Sequence, residues 1–431
     1  MRKILLLMAV TAAAAAAQPD TLSLDLSGWV RLAMDNSPQM EISTADLMIS
    51  EASLRSSRSF IWPSLNLGSS ARHSWSSVPD MTGGYTDVEN TTWSMSASVS
   101  QELLASGGSS WLRLSGSRRS LEASRFDHHQ ASLDLTMDVI EAYYGVVEAA
   151  GLLESAQRAL DRSTEQLSRT SSLYRIGGAT NLELIQAEVQ QSSDSLTLLQ
   201  RENAVSGAYV SLRRTAGVTG SPYRVDTEAV LQPVTVNTAM GYSLDTSGSN
   251  LLTASEERLA AAEYSWQAAR RSYWPSLTAG GSWNWSNDEL EFEDFAGRDS
   301  WQVSISLQWT LFDGFNRESI IQSARASMLR QRASYRAVKN SVSSSLITAR
   351  NDLVSSIRRW ELSLQVLNQA REQLRLSDMS YELGSISLLD LLDAQSQVAS
   401  AEASVESSRT ASLIAEARLL ILMGRFPRVG E

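Results

Sequence analysis

The sequence predicts a mixed α+β membrane protein in which four amphipathic strands, arranged as two hairpins, are joined to long coiled-coil helical hairpins in two internal repeats. Three observations carry this prediction. Residues 62–104 and 274–311 share a Trp-Pro-Ser-Leu entry, two alternating runs divided by a polar loop, and a glycine-containing exit. Nine of the twelve tryptophans lie in or beside those two segments. All eight prolines fall at 19, 38, 63, 79, 222, 233, 275 and 427, leaving two proline-free stretches of well over a hundred residues each.

At the amino terminus, Arg2 and Lys3, the apolar run 4–10 and the alanines ending near Ala17 predict a secretory signal over 1–17. Its apolar core is too short to cross a bilayer, and no later stretch approaches 18 apolar residues, so no membrane-spanning helix is predicted. An N-terminal segment with a short helix is expected over 18–61. The chain has no cysteine, which removes lipidation at that position, disulfides, thiolate metal sites and cysteine nucleophiles together.

The strands follow. In the fourth run Trp301, Val303, Ile305, Leu307, Trp309 and Leu311 alternate with Gln302, Ser304, Ser306, Gln308 and Thr310. Such a strand has one apolar and one wet side. Trp93, Met95, Ala97 and Val99 alternate with serines in the second run; Leu277, Ala279, Gly281, Trp283 and Trp285 do so in the third. The run from Leu65 to Trp75 keeps the phase. Runs of about 10 residues with this dyad, ending in tryptophan, mark strands of outer-membrane barrels. Indole rings favour the membrane interface, so Trp62, Trp75, Trp93, Trp274, Trp283, Trp285, Trp301 and Trp309 are expected to form an aromatic girdle. A half-buried sheet packed on helices is the competing account of the same pattern.

Two rods continue from the strands, about 111–174 and 315–383. Each is rich in Ala, Leu, Ser, Glu, Gln and Arg, and the first would measure roughly 100 Å as a helix. Each turns back into a shorter helix, about 182–215 and 388–422. The helical hairpins are thus expected over 105–216, with a tip near 177–181, and over 312–424, with a tip near 384–387. In the last helix Leu391, Ala394, Val398, Ala401, Val405, Ser408 and Ser412 step by three and four, a seam of small knobs that admits close neighbours. Residues 217–250 read as a connector without assignable structure, 251–273 as a short helix, and 425–431 as a tail. Tyr174 to Tyr381 and Gly177 to Gly384 are both 207 apart, whereas Trp62 to Trp274 is 212, so length variation is confined to the strand loops 76–90 and 286–300.

Four membrane strands cannot close a barrel, and open strand edges are not tolerated in lipid, so the chain must associate with copies of itself. Two copies give eight strands and three give twelve; twelve leave room for a water-filled bore. The net charge of −11 argues against a nucleic-acid partner and is compatible with a lumen that favours cations.

These residues together resemble the TolC-like outer-membrane efflux proteins over essentially the whole mature length. The resemblance is carried by Leu32-Ala33-Met34-Asp35-Asn36-Ser37-Pro38, the two Trp-Pro-Ser-Leu entries, Leu311-Phe312-Asp313-Gly314, and two paired turns. The first turn runs from Tyr174-Arg175-Ile176-Gly177 through Glu183-Leu184-Ile185-Gln186-Ala187, the second from Tyr381-Glu382-Leu383-Gly384 through Asp390-Leu391-Leu392-Asp393-Ala394. The resemblance implies a homotrimer with a twelve-stranded barrel in outer-membrane lipid of a diderm bacterium, continued by a periplasmic helical tunnel. It implies docking to a periplasmic adaptor and an inner-membrane transporter of RND, ABC or MFS type, in tripartite efflux or type I secretion. The absence of cysteine makes it similar to the non-lipidated members.

By the same resemblance Asp390 and Asp393 line a periplasmic entrance, where stacked carboxylate rings would attract cations and repel anions. Ser387-x-x-Asp390 and Thr180-x-x-Glu183 are equally capping boxes, so Asp390 and Glu183 carry both readings, while Asp393 lies beyond the first turn. The family's frequent arginine two residues after the turn glycine is Ile386 here, which leaves the matching gate network open. Tyr174 and Tyr381 are tip contacts or turn packing. Gly177, Gly178 and Gly384 form the turns, and Leu182, Leu184, Leu388 and Leu389 are candidates for adaptor docking or for the core.

No enzyme, cofactor or metal site is predicted. His128 and His129 are adjacent on a helix and point about 100° apart, His73 lies on a strand, and no catalytic constellation or phosphate loop is present. The run Asp288, Glu289, Glu291, Glu293 and Asp294 reads as a solvated rim. Two other classes remain: a trimeric structural or adhesive coiled coil anchored by a small barrel, and a soluble helical scaffold. Short connections at the helix tips with long polar strand loops favour the conduit.

Overall fold

The computed structural model describes residues 23–79, 81, 83–218, 223–226, 232–289 and 299–427; the expected signal segment, Glu291, Glu293, Asp294 and the end of the tail lie outside the described residues. In chain order the elements are β1 (Ser23–Leu24), α1 (Leu26–Asn36), α2 (Pro38–Ser57), β2 (Ser64–Pro79), β3 (Tyr85–Leu104), α3 (Ser109–Arg175) and α4 (Asn181–Thr215). There follow β4 (Arg224–Val225), α5 (Val236–Met240), α6 (Asn250–Arg270), β5 (Ser276–Asn287), β6 (Asp299–Gln308), α7 (Asn316–Glu382) and α8 (Leu388–Leu422). They form two compact units. A sheet unit comprises Thr44–His128 and Asn250–Asn340, and a helical unit comprises residues up to Ser43, His129–Ser249 and Ser341–Glu431. α3 and α7 contribute to both.

In the sheet unit the order is β2-β3-β5-β6, antiparallel throughout. Both hairpins start in the same way. A single 3₁₀ turn ends at Trp62 (φ −107°, ψ 145°) or Trp274 (φ −92°, ψ 150°), because the residue before a proline is driven out of the helical region. The register then aligns the alternation across all four strands. Leu67, Ala97, Trp283 and Trp301 form one row, and Asn66, Ser98, Ser282 and Gln302 form a row on the opposite face. One face is therefore apolar and the other is hydroxyl- and amide-lined, because successive side chains point to opposite sides.

Two sequence expectations differ here. The first strand loop, expected over 76–90, is largely strand: β2 continues to Pro79 and β3 begins at Tyr85, with Ser76 opposite Val88. Backbone pairing needs no hydrophobic alternation, so the ladder continues where the pattern has faded. The single short helix expected before residue 62 is two helices, α1 capped by Asp25, whose carboxylate accepts the Gly28 N–H at 2.9 Å, and α2 opening on Pro38.

The helical unit is built on a core where Trp29 and Ala33 of α1 meet Val139, Ile140 and Tyr143 of α3, Leu212 of α4, and Leu413 and Ala417 of α8. Part of the connector belongs to it. β4 pairs parallel with β1, Val225 enters the core, and the Tyr143 hydroxyl donates to the Asp226 carbonyl at 2.8 Å. Burial pushes the Tyr143 phenol well above its ordinary range. Along α8 every member of the small-residue seam, from Leu391 to Ser412, is buried. Leu367 and Ala370 of α7 pack against Val398, Ala401 and Val405 of that seam.

Candidate functional site

The tips of the helical hairpins are two copies of one local design. After α3 the chain turns through Gly177 (φ +78°), with the Gly178 N–H donating to the Leu173 carbonyl at 2.8 Å. After α7 it turns through Gly384 (φ +70°), with the Ser385 N–H donating to the Ser380 carbonyl at 2.9 Å. Only glycine takes this left-handed position without steric cost, and the bonds satisfy helix-end carbonyls. Complete capping boxes then open the return helices, Thr180 with Glu183 for α4 and Ser387 with Asp390 for α8. Hydrogen bonds from the Ser387 hydroxyl and backbone hold the Asp390 carboxyl below its usual range. Asp393 stands outside the box, exposed, and accepts from Gln397 Nε2 at 2.7 Å.

Four helices meet behind the caps. Leu388 is fully buried with Ala187, Leu392, Leu167 and Tyr381, which fits the core side of its two readings: as the first residue of α8 its side chain falls inside the four-helix contact. Leu182 and Leu389 are exposed at 65 % and 60 %, Leu184 is half-buried, and Tyr174 is exposed. Tyr381 is not free at the tip. The Arg169 guanidinium lies 6.0 Å from its ring centre and donates to Glu382 at 3.2 Å, fastening α3 to the end of α7. Burial lifts the nearby Asp378 carboxyl, opposed by Arg169 and reinforced by Glu382 and Glu165.

Sequence reasoning missed Arg169, and it also missed a deeper network. Glu402 of α8 is almost wholly buried and binds Arg158 of α3 at 3.3 Å, Arg371 of α7 at 3.2 Å and the Ser155 hydroxyl at 3.1 Å. Burial pushes its carboxyl up, but Arg371, Arg158 and Ser155 together hold it below its ordinary value. The only available signal was a lone acid set in a seam of small residues.

In the sheet unit the tryptophans fall at two levels. Trp62, Trp274 and Trp309 flank the strand ends nearest the helices' start in sequence, and Trp75, Trp93, Trp283, Trp285 and Trp301 lie toward the loop ends. Along β6 and the residue after it, the eight residue steps from Trp301 to Trp309 span ~26 Å, close to the ~25 Å apolar band of outer-membrane barrels. Between them Leu65, Leu67, Val303, Ile305 and Leu307 are exposed. Trp285 departs from the expected girdle, being 1 % exposed. It is flanked in register by Met95 and Asp299, while Trp283 two residues earlier on the same strand and face is half-buried. On the wet face Arg72 is the single charged residue among the rows from Ser64 to Ser76 of β2.

A sheet with one lipid-compatible and one wet face, carried by a chain of long helical hairpins, defines an outer-membrane channel subunit. The chain belongs to the Outer membrane efflux protein family, whose sequence model matches residues 29–218 and 243–425. It is similar to the outer membrane protein TolC of Vibrio cholerae, with 23% identity over 88% of this chain and 85% of that one. Protein CyaE of Bordetella pertussis is 25% identical over 86% of this chain and 78% of its own length. Among solved structures the fold is shared with VceC of Vibrio cholerae (TM-score 0.80, 18% identity, 93% of this chain and 96% of that chain). It is shared also with the CmeC channel of Campylobacter jejuni (TM-score 0.81, 16% identity, 94% and 87%). This protein is an outer-membrane efflux channel with a periplasmic helical part.

Proposed function

We propose that three copies of this chain assemble into a passive exit duct: a twelve-stranded barrel in outer-membrane lipid, continued by a periplasmic helical tunnel, each chain contributing two internal repeats. The duct works with a periplasmic adaptor and an inner-membrane transporter of RND, ABC or MFS type, in tripartite efflux or type I secretion. It performs no chemistry of its own. The observation that carries this reading is the set of surfaces one chain leaves uncovered. β2 and β6 are open edges of an apolar-faced sheet, a state that lipid does not tolerate. In the helical unit α4 exposes Ile185, Val189, Leu196 and Leu199, and α7 exposes Leu362, Val366, Leu376 and Met379, both at heptad-like spacing. Such stripes are what neighbouring copies would cover.

Within this reading Asp390 and Asp393 face the entrance, with Glu183 at the matching first-tip position. Arg169, Tyr381 and Glu382 fasten the tip, taking the place that Ile386 leaves vacant, with Tyr174 exposed beside them. The turns at Gly177, Gly178 and Gly384, with exposed Leu182 and Leu389 and half-buried Leu184, present the adaptor surface. Light scattering of the detergent-purified protein should give three chains per particle, and planar bilayers should give discrete conductance steps. A monodisperse single chain without channel activity would end this reading.

A further inference from the structure

Within the helical unit, α3, α4 and α8 enclose a cleft of about 420 Å³. Arg162 of α3 and Arg201 of α4 line it, together with the hydroxyls of Ser193, Thr197 and Ser400. Nε and Nη2 of Arg162 are closed off from solvent and have no hydrogen-bond partner among the described residues. The ion pairs of the neighbouring helix faces use Arg158, Arg169 and Arg371 and leave Arg162 and Arg201 unmatched. Asp194, the cleft's one carboxylate, accepts from Gln190 at 3.1 Å and pairs with neither arginine.

A guanidinium cannot shed its proton in a protein, so a shielded one is costly until an acceptor fills its fork. Buried unmatched donors in native structures call for an ordered water or ion. A single water satisfies hydrogen bonds but leaves two positive charges facing one negative. We infer that the cleft is a binding site for a small doubly charged oxyanion of phosphate size, gripped by Arg162 and Arg201 and completed by the hydroxyls. Arginine's planar fork matches two oxygens of such an ion, and the hydroxyls of Ser193 on α4 and Ser400 on α8 can donate to the others, while the Thr197 hydroxyl donates to the Ser193 carbonyl at 3.0 Å and lines the wall. The bound anion ties the α3–α4 hairpin to α8. All the lining residues belong to one chain, so the assembly proposed above is not needed to form the cleft.

The test uses the full detergent-purified protein, whatever its oligomeric state, at pH 7.5. Thermal melting is followed against inorganic phosphate, with sodium chloride holding ionic strength constant. The expected result is a melting temperature that rises and saturates in the millimolar range, with calorimetric titration giving a matching dissociation constant. Arg162→Gln and Arg201→Gln should each weaken that constant roughly tenfold or more, because each removes a charge-assisted contact. Phosphate also stabilises proteins without binding, by exclusion from their surface, and this produces a non-saturating slope common to every variant. Ser400→Asp gives an independent check: a carboxylate supplied by the cleft wall should raise the melting temperature without phosphate and abolish the saturable response. A wild-type slope that does not saturate, or saturable binding unchanged in both arginine variants, overturns the proposal; so does a carboxylate of a neighbouring copy found in the cleft.

Discussion

At the scale of single residues, Glu402 and the two tip acids separate structural from conductive roles. Glu402 is the shared partner of Arg158 and Arg371, which are themselves about half exposed. Glu402→Gln keeps the shape, removes the charge and lets both guanidinium groups turn toward water, so the loss should be about 1–3 kcal/mol rather than that of a sealed ion pair. The sign with pH follows from the lowered carboxyl. The advantage of wild type over Glu402→Gln is complete above the ordinary glutamate value of 4.5 and is lost as pH falls through the depressed folded value. Paired melting curves from pH 7 to pH 3 should therefore converge at the acid end. The tip acids divide differently. Asp390 is engaged in its capping box and Asp393 is not. Asp390→Ala should make the second tip more sensitive to protease, whereas Asp393→Ala should leave protease sensitivity unchanged and weaken cation preference in planar bilayers. Unchanged ion selectivity in Asp393→Ala would remove that residue from the entrance. Arg169 and Glu402 were invisible in sequence because each draws its meaning from helices more than thirty residues apart, which no local spacing encodes.

At the scale of elements, legibility followed periodicity. Strands carrying one apolar and one hydroxyl face announce themselves every second residue, and the α8 seam does so every three or four. β1 and β4, two residues each, carry no period, and their pairing depends on a core assembled from distant segments. The upper parts of β2 and β3 were hidden for the opposite reason: hydrogen-bonded pairing persists from Ser76 to Pro79 without alternating polarity. Helix ends were read from turn chemistry, and turn chemistry also ranks the glycines. Gly384 (φ +70°) has open space where a Cβ would sit, whereas a Cβ on Gly217 (φ +70°) would lie 2.2 Å from the Asn36 carbonyl oxygen at the end of α1. Gly384→Ala should cost about 1 kcal/mol, the left-handed penalty alone. Gly217→Ala adds a backbone clash and should cost about 3 kcal/mol or more. Melting temperatures of the two variants, measured side by side, test that order; equal shifts would mean that the α1 end yields freely.

At the scale of the whole molecule, the surfaces that remain apolar decide whether one chain can be a finished object. Scattered exposed leucines are ordinary, but a stripe repeated along a helix is not. On α4, Val189 and Leu196 are 64 % and 62 % exposed; on α7, Leu362 and Val366 are 58 % and 52 % exposed. None of the four belongs to the cores centred on Trp29, Leu367 or Leu388, so replacing them removes no packing inside the chain. Val189→Asp with Leu196→Asp should therefore preserve helix content by circular dichroism while shifting the detergent-purified protein from three chains to one by light scattering. Leu362→Asp with Val366→Asp should do the same from the other side. Mixing the two variant proteins should not restore the trimer, because a closed ring requires every α4–α7 junction to be intact, and each mixed ring keeps at least one junction that carries a charge-bearing face. If either variant remains fully trimeric, its stripe faces solvent or adaptor instead of a neighbouring copy. The open edges of β2 and β6 would then be left to hold the ring alone.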